Sequence, residues 1–413
     1  MNFFRLHRTV KIRLIESFLS SAVSNMIFPF MAIYLSSYFG VKITGILLFI
    51  NVLVGILLSF FGGYISDSFG RKKLIVFAET IRLMAFFIMM LCNSPWFFSP
   101  EITFLMMMVN TICWSLADPA NDAMLIDVSK PHERKFVFSL SYWGFNLAVA
   151  LGGVLGGFLF KDYLFELLIA LTVTAAITVI LITFFIDESY IVEKKEKESL
   201  LKHVTNMIRN YRTVFRDRLF ILYTVALILI MSLEYQLNNY IGIRLENEMN
   251  KQPFFHWEID GILMAGLLRT ENTILVVLMA LFATAMVTRF KDRHVMVLSS
   301  FFFVAGYAFV SYSNSIPLLF FAMFIASVAE VLRVPVEQNY IASLPPKHAR
   351  SSYLAINGMG YYLSQLICSI TVMISAYLSS ALTSIFIAIT GLFGVLILLK
   401  IGTALDKRLE QAK

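Results

Sequence analysis

The motifs of phosphate-driven and hydrolytic chemistry are missing from this sequence: it has no GxxxxGK[ST] phosphate-binding loop, no HExxH zinc pair and no GxSxG nucleophile elbow. Neither a nucleotide-hydrolysing motor nor a familiar membrane hydrolase is indicated, so the chain reads as a non-enzyme that calls for no cofactor. Cysteine is scarce. Cys92, Cys113 and Cys368 stand far apart inside apolar runs, which suggests neither a disulfide framework nor a clustered thiolate metal site. Charge is thin as well: 15% of the 413 residues are charged, 58% are hydrophobic, and mean hydropathy is +0.76. A soluble domain does not have this balance. The apolar run around Phe18 follows basic residues but lacks a convincing small-residue cleavage site, and it reads as a retained first helix.

What is present is a series of long apolar runs. At about 20 residues per crossing, they divide into twelve spans near residues 14–38, 42–65, 74–92, 102–127, 136–160, 164–186, 219–243, 262–287, 295–313, 317–342, 352–376 and 381–402. The expected fold is an all-α polytopic membrane protein. The net charge of +7 could suggest nucleic acid, but its distribution speaks for orientation instead. With the N-terminus inside, 27 Lys and Arg fall on inner segments and four on outer ones, while Arg82, Arg269 and Arg333 lie within spans. That asymmetry predicts a multi-pass protein of the cell membrane with both termini cytoplasmic. Residues 187–218, with KKEKE and RNYRTVFRDR, form one charged linker between two six-helix halves, 1–186 and 219–413. The linker is expected to be partly an amphipathic helix at the surface, or a solvated spacer.

An internal repeat supports two halves. Pro119 and Pro335, His132 and His348, Arg134 and Arg350, and Gly144 and Gly360 are each separated by 216 positions. The two prolines predict bends in the fourth and tenth spans, and Pro29 predicts one in the first.

Between the second and third spans, GYISDSFGRKK places one carboxylate and three cations in a short turn, Gly63 to Lys73. Glycines there permit tight turning and close helix approach, while Asp67 and Arg71 can latch neighbouring helices through charge-assisted bonds. The string resembles the Gly-x-x-x-Asp-x-x-Gly-Arg-Lys motif of major facilitator superfamily transporters, with Gly63, Asp67, Gly70, Arg71 and Lys72 filling every place. The resemblance implies two pseudo-symmetric six-helix bundles that alternate access to a central cavity, and a monomer. It also implies that Asp127, which closes the fourth span, partners Arg71 in one conformation.

Charges where a membrane should reject them are the first candidates for function. Glu330, Arg333 and Glu337 recur at i, i+3 and i+7 on the tenth span, as one ionic stripe. The seventh span adds Glu234, with Gln236, Asn238 and Asn239 nearby, and the fourth adds Asp118, Asn121 and Asp122. Buried carboxylates can cycle protons, so Glu330, Glu234, Asp118 and Asp122 are candidate proton carriers, or else structural polar contacts. Trp114, Tyr142, Trp143, Asn146, Tyr235, Asn238, Asn357, Tyr361 and Gln365 are the candidate substrate contacts, together with Glu234, Glu330 and Arg333. Aromatic faces suit lipophilic cations, each cation–π contact being worth about 0.5–2 kcal/mol. Most of the 39 Phe and 20 Met must instead pack helices or meet lipid. His132 and His348 read as solvated loop residues rather than proton relays, and Arg269 and Glu271 as groups that either touch substrate or stabilise the outer half of the eighth span.

Longer segments resemble LmrP-like multidrug transporters of the drug:proton antiporter family: ITGILL at Ile43–Leu48, SDSFGRK at Ser66–Lys72, NDAMLID at Asn121–Asp127, YWGFNLAVALGGVLGG at Tyr142–Gly157 and AEVLRVPVEQ at Ala329–Gln338. The likeness implies proton-coupled export of lipophilic, cationic small molecules, with protons and membrane lipids as partners. Three departures stand out. Ser141 replaces the family's acid before Tyr142, Asn238 replaces an acid that Glu234, one helical turn away, could supply, and Gly152-Gly153 before Gly156-Gly157 lacks the antiporter proline. An uptake symporter, a lipid exporter, and a receptor or scaffold remain open alternatives.

Overall fold

The computed structural model describes residues 6–129, 133–188, 214–346 and 350–412. The expected linker, apart from its two ends, and both His132 and His348 lie outside the described residues. Helix accounts for nearly everything that is described. Among the described residues, eleven segments are long and apolar enough to cross a membrane, and the first, Arg8–Ser59, is 52 residues long. At 1.5 Å per residue that is about 78 Å, against a hydrocarbon core of about 30 Å. It turns at Gly40, whose φ of 75° and ψ of 161° suit a residue without a Cβ. The first segment therefore supplies two crossings, and the fold is an all-α polytopic membrane protein with twelve spans.

In chain order the helices are α1 (Arg8–Ile27), α2 (Met31–Phe69), α3 (Arg71–Leu91), α4 (Pro100–Val128), α5 (Arg134–Leu159), α6 (Leu164–Phe185), α7 (Arg218–Tyr235), α8 (Tyr240–Glu248), α9 (Gly261–Val287), α10 (Asp292–Val310), α11 (Ile316–Ser343), α12 (Arg350–Ser375) and α13 (Ser380–Ala412). Pro29 sits in a 3₁₀ turn, Phe28–Phe30, that separates α1 from α2. Pro119 and Pro335 lie inside α4 and α11, both of which continue through them. Two small hairpins join helices: β1 (Asn93–Ser94) with β2 (Phe97–Phe98), and β3 (Gln252–Phe254) with β4 (Trp257–Ile259).

Contacts divide the chain into two compact units, residues 1–195 with 262–270, and residues 196–261 with 271–413. In the first, α1 packs on α5 and α6, and α3 on α4 and α6. In the second, α7 packs on α12 and α13, and α10 on α11 and α13. The 216-residue offset extends to helix starts: Pro100 to Ile316, Arg134 to Arg350 and Leu164 to Ser380. Local chemistry repeats with it, because Ser99 and Ser315 occupy the N-cap positions of α4 and α11 and a proline follows each in the first turn.

Close packing in the first unit depends on the glycines of α5. A Cβ on Gly152 would come within 2.5 Å of Asn25, and one on Gly156 within 2.6 Å of the Met26 carbonyl oxygen, so α1 rests directly on this face. The adjacent face, Gly153 and Gly157, meets Gly266 and Leu263 within the same unit. Two columns of glycine thus serve two neighbours.

Candidate functional site

In the first unit, the turn between α2 and α3 is set by Gly70, whose φ of 92° and ψ of 145° fall where side chains are strongly disfavoured. Its neighbour Arg71 donates from Nη1 to Asp127 Oδ2 at the end of α4, with side chains 13% and 29% exposed. Lys72 fastens the third element: its backbone N–H donates to both carboxylate oxygens of Glu188 at 3.1 and 3.2 Å, and its Nζ donates to the Thr183 carbonyl at 2.8 Å. The start of α3 is thereby tied to the ends of α4 and α6. Gly63 and Asp67 lie in the last part of α2, and the side chain of Asp67 lies outside the described residues. Glu188 was not anticipated, because it lies far along the chain beyond an apolar helix.

Deeper in this unit lies an ionic network that the sequence reading passed over. Arg13 donates to Glu16 at 2.8 Å, and Thr178 to the other Glu16 oxygen at 3.3 Å. Arg82 donates to Glu79 at 2.6 Å and to Asn110 Oδ1 at 2.9 Å. Glu16 and Glu79 are buried, and each has an arginine three residues away on its own helix. Arg269, in the part of α9 that belongs to this unit, donates to Asn25 Oδ1 at 2.6 Å. The candidate aromatic contacts are open: Trp114, Tyr142 and Trp143 are each about half exposed, and Asp118 is exposed one turn after Trp114 on α4. Asn146 donates its amide to the Tyr142 carbonyl at 2.8 Å. The side chain of Asp122 lies outside the described residues.

The second unit holds the other candidates. Glu330 on α11 accepts a hydrogen bond from Asn272 Nδ2 of α9 at 2.8 Å, and the same amide donates to Ser327 at 3.1 Å. Arg333 pairs not with Glu330 but with Glu337, at 3.0 Å, and its guanidinium lies 4.8 Å from the centre of the Phe303 ring. The expected stripe is therefore a pair plus a separately held acid. Tyr307 of α10, fully buried, lies within electrostatic reach of Glu234, Glu330 and Arg333, and Tyr235 is likewise close to Glu234 and Glu330. Tyr235 and Tyr361 meet edge to face at 5.3 Å. Beside Glu337 a cleft of about 40 Å³ is lined by Thr224, Ile228, Met231, Asn357, Tyr361 and Ser364, which is space for water rather than for a drug. Gln365 is half-buried on α12. One carboxylate oxygen of Glu271 is buried without a hydrogen bond.

The seventh span differs from expectation. α7 ends at Tyr235, a 3₁₀ turn covers Gln236–Asn238, and Asn239 adopts φ −119° and ψ −102° before α8 begins. Glu234 and Asn238 therefore do not share a continuous α-helical face, because a 3₁₀ turn rotates each residue further than an α-helix does. At the start of α7, Asp217 accepts from both guanidinium nitrogens of Arg408 at 2.9 and 2.6 Å, from the Tyr353 hydroxyl at 2.9 Å and from the Phe220 N–H at 3.2 Å. Burial alone would raise its carboxyl, but the bonds from Arg408, Phe220 and Tyr353 outweigh it and hold the group below its ordinary value. One acid therefore ties the starts of α7 and α12 to the end of α13.

The sequence profile of the Major Facilitator Superfamily matches residues 14–267 and 253–412. The chain belongs to that superfamily. A relative from Planococcus maritimus, described as a Na(+), Li(+), K(+)/H(+) antiporter, is 31% identical over 401 residues, covering 94% of each chain. Multidrug resistance protein MdtH of Klebsiella pneumoniae is 23% identical over 338 residues, 81% of this chain and 78% of that one. Among solved structures, the peptide transporter POT in complex with sulfate superposes with a TM-score of 0.76 at 14% identity, covering 99% of this chain and 97% of that chain. The nucleoside transporter NupG gives 0.75 at 14% identity, covering 95% and 99%. At such identities the structures share the fold alone, which here is that of a superfamily carrier.

Proposed function

We propose that the chain is a proton-coupled antiporter of the LmrP-like drug:proton kind, exporting lipophilic, cationic compounds by alternating access from a cell membrane in which both termini face the cytoplasm. The observation that carries this reading is Glu330: a carboxylate in the interior of a membrane helix, held by a neutral amide while the nearby arginine engages another acid. An ionised carboxylate in such surroundings is costly unless it is compensated, and taking up a proton removes the cost. An inside-negative potential drives each proton inward by about 2.3 kcal/mol per 100 mV. A cationic substrate can displace the proton because both compete for the same negative charge. Glu234, close to the same tyrosines, is the second carrier. Exposed aromatic faces in the first unit, at Trp114, Tyr142 and Trp143, suit the cargo. Arg71 and Asp127 serve as a latch that opens during each cycle.

A second reading, exchange of alkali cations for protons, is favoured by the 31%-identical antiporter relative. Everted membrane vesicles with an imposed pH gradient separate the two. A cationic dye that collapses the gradient while Na⁺, Li⁺ and K⁺ do not supports drug export, and the reverse supports cation exchange. Glu330→Gln should abolish gradient-driven exchange of either cargo while preserving membrane insertion. Wild-type exchange in that variant rejects the proposal.

A further inference from the structure

Two arginines of the second unit are almost wholly buried, with side chains 1% exposed, yet their donors are used very differently. Arg244 donates to Asn314 Oδ1 and to the carbonyls of Val310, Tyr312 and Ser313, a dense set of acceptors at the end of α10. From Arg333, the described residues show one hydrogen bond, Nη1 to Glu337 Oε2 at 3.0 Å. Its Nε is buried without an acceptor. Arg244 Nε also lacks one, but Arg244 is anchored through both terminal nitrogens, whereas Arg333 makes one hydrogen bond and otherwise lies against the Phe303 ring. A guanidinium presents five donors in a planar fork, so most of this fork is unused in a place where water is scarce.

Glu330 lies three residues earlier on α11, on the same face. Its oxygen accepts from the Asn272 amide at 2.8 Å. One guanidinium therefore stands between two carboxylates a turn above and a turn below, engaged with one of them and carrying vacant donors.

We infer that Arg333 is a two-position counter-ion: it pairs with Glu337 while Glu330 carries a proton, and turns to Glu330 when that proton leaves. The inference deepens the antiport reading and rests on it for the role of Glu330 as proton carrier. The exchange is balanced in charge. A proton departs from Glu330 as the guanidinium arrives, and Glu337 is left facing the small cleft that Asn357, Tyr361 and Ser364 help to line. The neighbouring elements bring few competing charges. α7 presents Glu234, Tyr223 and Tyr235, α10 presents Tyr307, and α9 presents the neutral Asn272 with the half-buried acid Glu271 next to it in the chain. Phenols stay neutral through the physiological range, and Glu234 is a further acid that shares Tyr235 and Tyr307 with Glu330. Because Arg333 acts through Glu330, it is a positioning residue.

The test uses the purified full chain. Difference infrared spectra record the protonated carboxyl of Glu330, assigned by its loss in Glu330→Gln, and give its pH midpoint without any need for transport. Glu337→Gln removes the alternative acceptor, so the guanidinium should remain on Glu330 and move the midpoint toward acid by about one pH unit, a tenfold change in proton affinity. Arg333→Gln should move it by a similar amount toward alkali, and Arg333→Lys should restore most of the wild-type position. The pH profile of gradient-driven exchange should shift in parallel. An arginine that only braced the helices would lower yield or rate without moving either midpoint. Unmoved midpoints, or the absence of a titrating Glu330 band, overturn the inference, and Glu337→Gln alone suffices if Arg333→Gln does not fold. Midpoints that shift while the wild type carries no coupled proton flux support the counter-ion and overturn the antiport reading instead.

Discussion

Asp217→Asn isolates the charge at the junction of α7, α12 and α13. Asparagine can still cap α7 through the Phe220 N–H, as aspartate does at 3.2 Å, so helix initiation is retained. What is lost is the two-pronged pairing with Arg408 at 2.9 and 2.6 Å and the full acceptor strength toward Tyr353 at 2.9 Å. Hydrogen bonds to a charged group contribute about 1.5–3 kcal/mol. Here the two side chains are 27% and 15% exposed, and solvent screening lowers the expected loss to about 1–2 kcal/mol. The pH dependence follows from a carboxyl held below its ordinary value. Its contribution is present above the unfolded value of about 4 and disappears as pH falls through the lower folded value. Thermal unfolding in detergent, followed by tryptophan fluorescence, should show the variant melting lower than wild type at neutral pH. The difference should shrink stepwise below about pH 4. A difference of equal size at neutral and acid pH, or none at neutral pH, would refute the electrostatic account. α7 carries Glu234 about 25 Å further along at 1.5 Å per residue, so loosening its start should also slow exchange.

Two further outcomes test the packing and the latch. Arg71→Ala and Asp127→Ala should each slow turnover several-fold while leaving equilibrium dye binding within about twofold, because a partly exposed pair is worth about 1 kcal/mol or less to one conformation. Unchanged turnover in both counts against the latch. Gly156→Val would drive its side chain into Phe30 and the Met26 carbonyl, contacts at 2.5 and 2.6 Å for a Cβ alone, and should cost about 1–3 kcal/mol or more. Normal yield and wild-type melting of that variant would show that α1 can retreat from α5.

The helices were legible because apolar length is a strong signal, and the 216-residue offset read from Pro119 and Pro335 recurs in the starts of three helix pairs. The contact between Arg71 and Asp127, 56 positions apart, was implied by the resemblance to the superfamily motif rather than by the spacing itself. Other features left weaker traces. Strands of two or three residues, such as Asn93–Ser94 and Gln252–Phe254, are too short to show alternation. The break at Gln236–Asn239 carries no proline or glycine, and its polar residues read as a site rather than as an interruption. Glu16 and Glu79 were submerged in apolar runs, although Arg13 and Arg82, each three positions away, offered a helical pairing signal. Asn272 could not be matched to Glu330 from one sequence, because the partnership depends on how α9 meets α11.

The repeat exposes a division of labour. Shifting Trp114 by 216 positions reaches Glu330, so equivalent places on α4 and α11 hold an exposed aromatic ring in one unit and an interior acid in the other. The buried acids of the first unit, Glu16 and Glu79, each have an arginine on the same helix at 2.8 and 2.6 Å. In the second, Glu330 and Glu337 flank one arginine, and it engages Glu337. A buried carboxylate with a guanidinium three residues away on its own helix keeps that counter-ion in either conformation, so its compensation does not change through a cycle. A carboxylate that shares its counter-ion changes proton affinity whenever that counter-ion moves. The proposed antiport mechanism therefore assigns proton exchange to α11 and its neighbours, and a bracing role to the arginine-matched acids around α1 and α3. On this reasoning, removing Glu16 or Glu79 together with its own arginine should leave the pH midpoint of exchange where it is, and removing Glu330 should not.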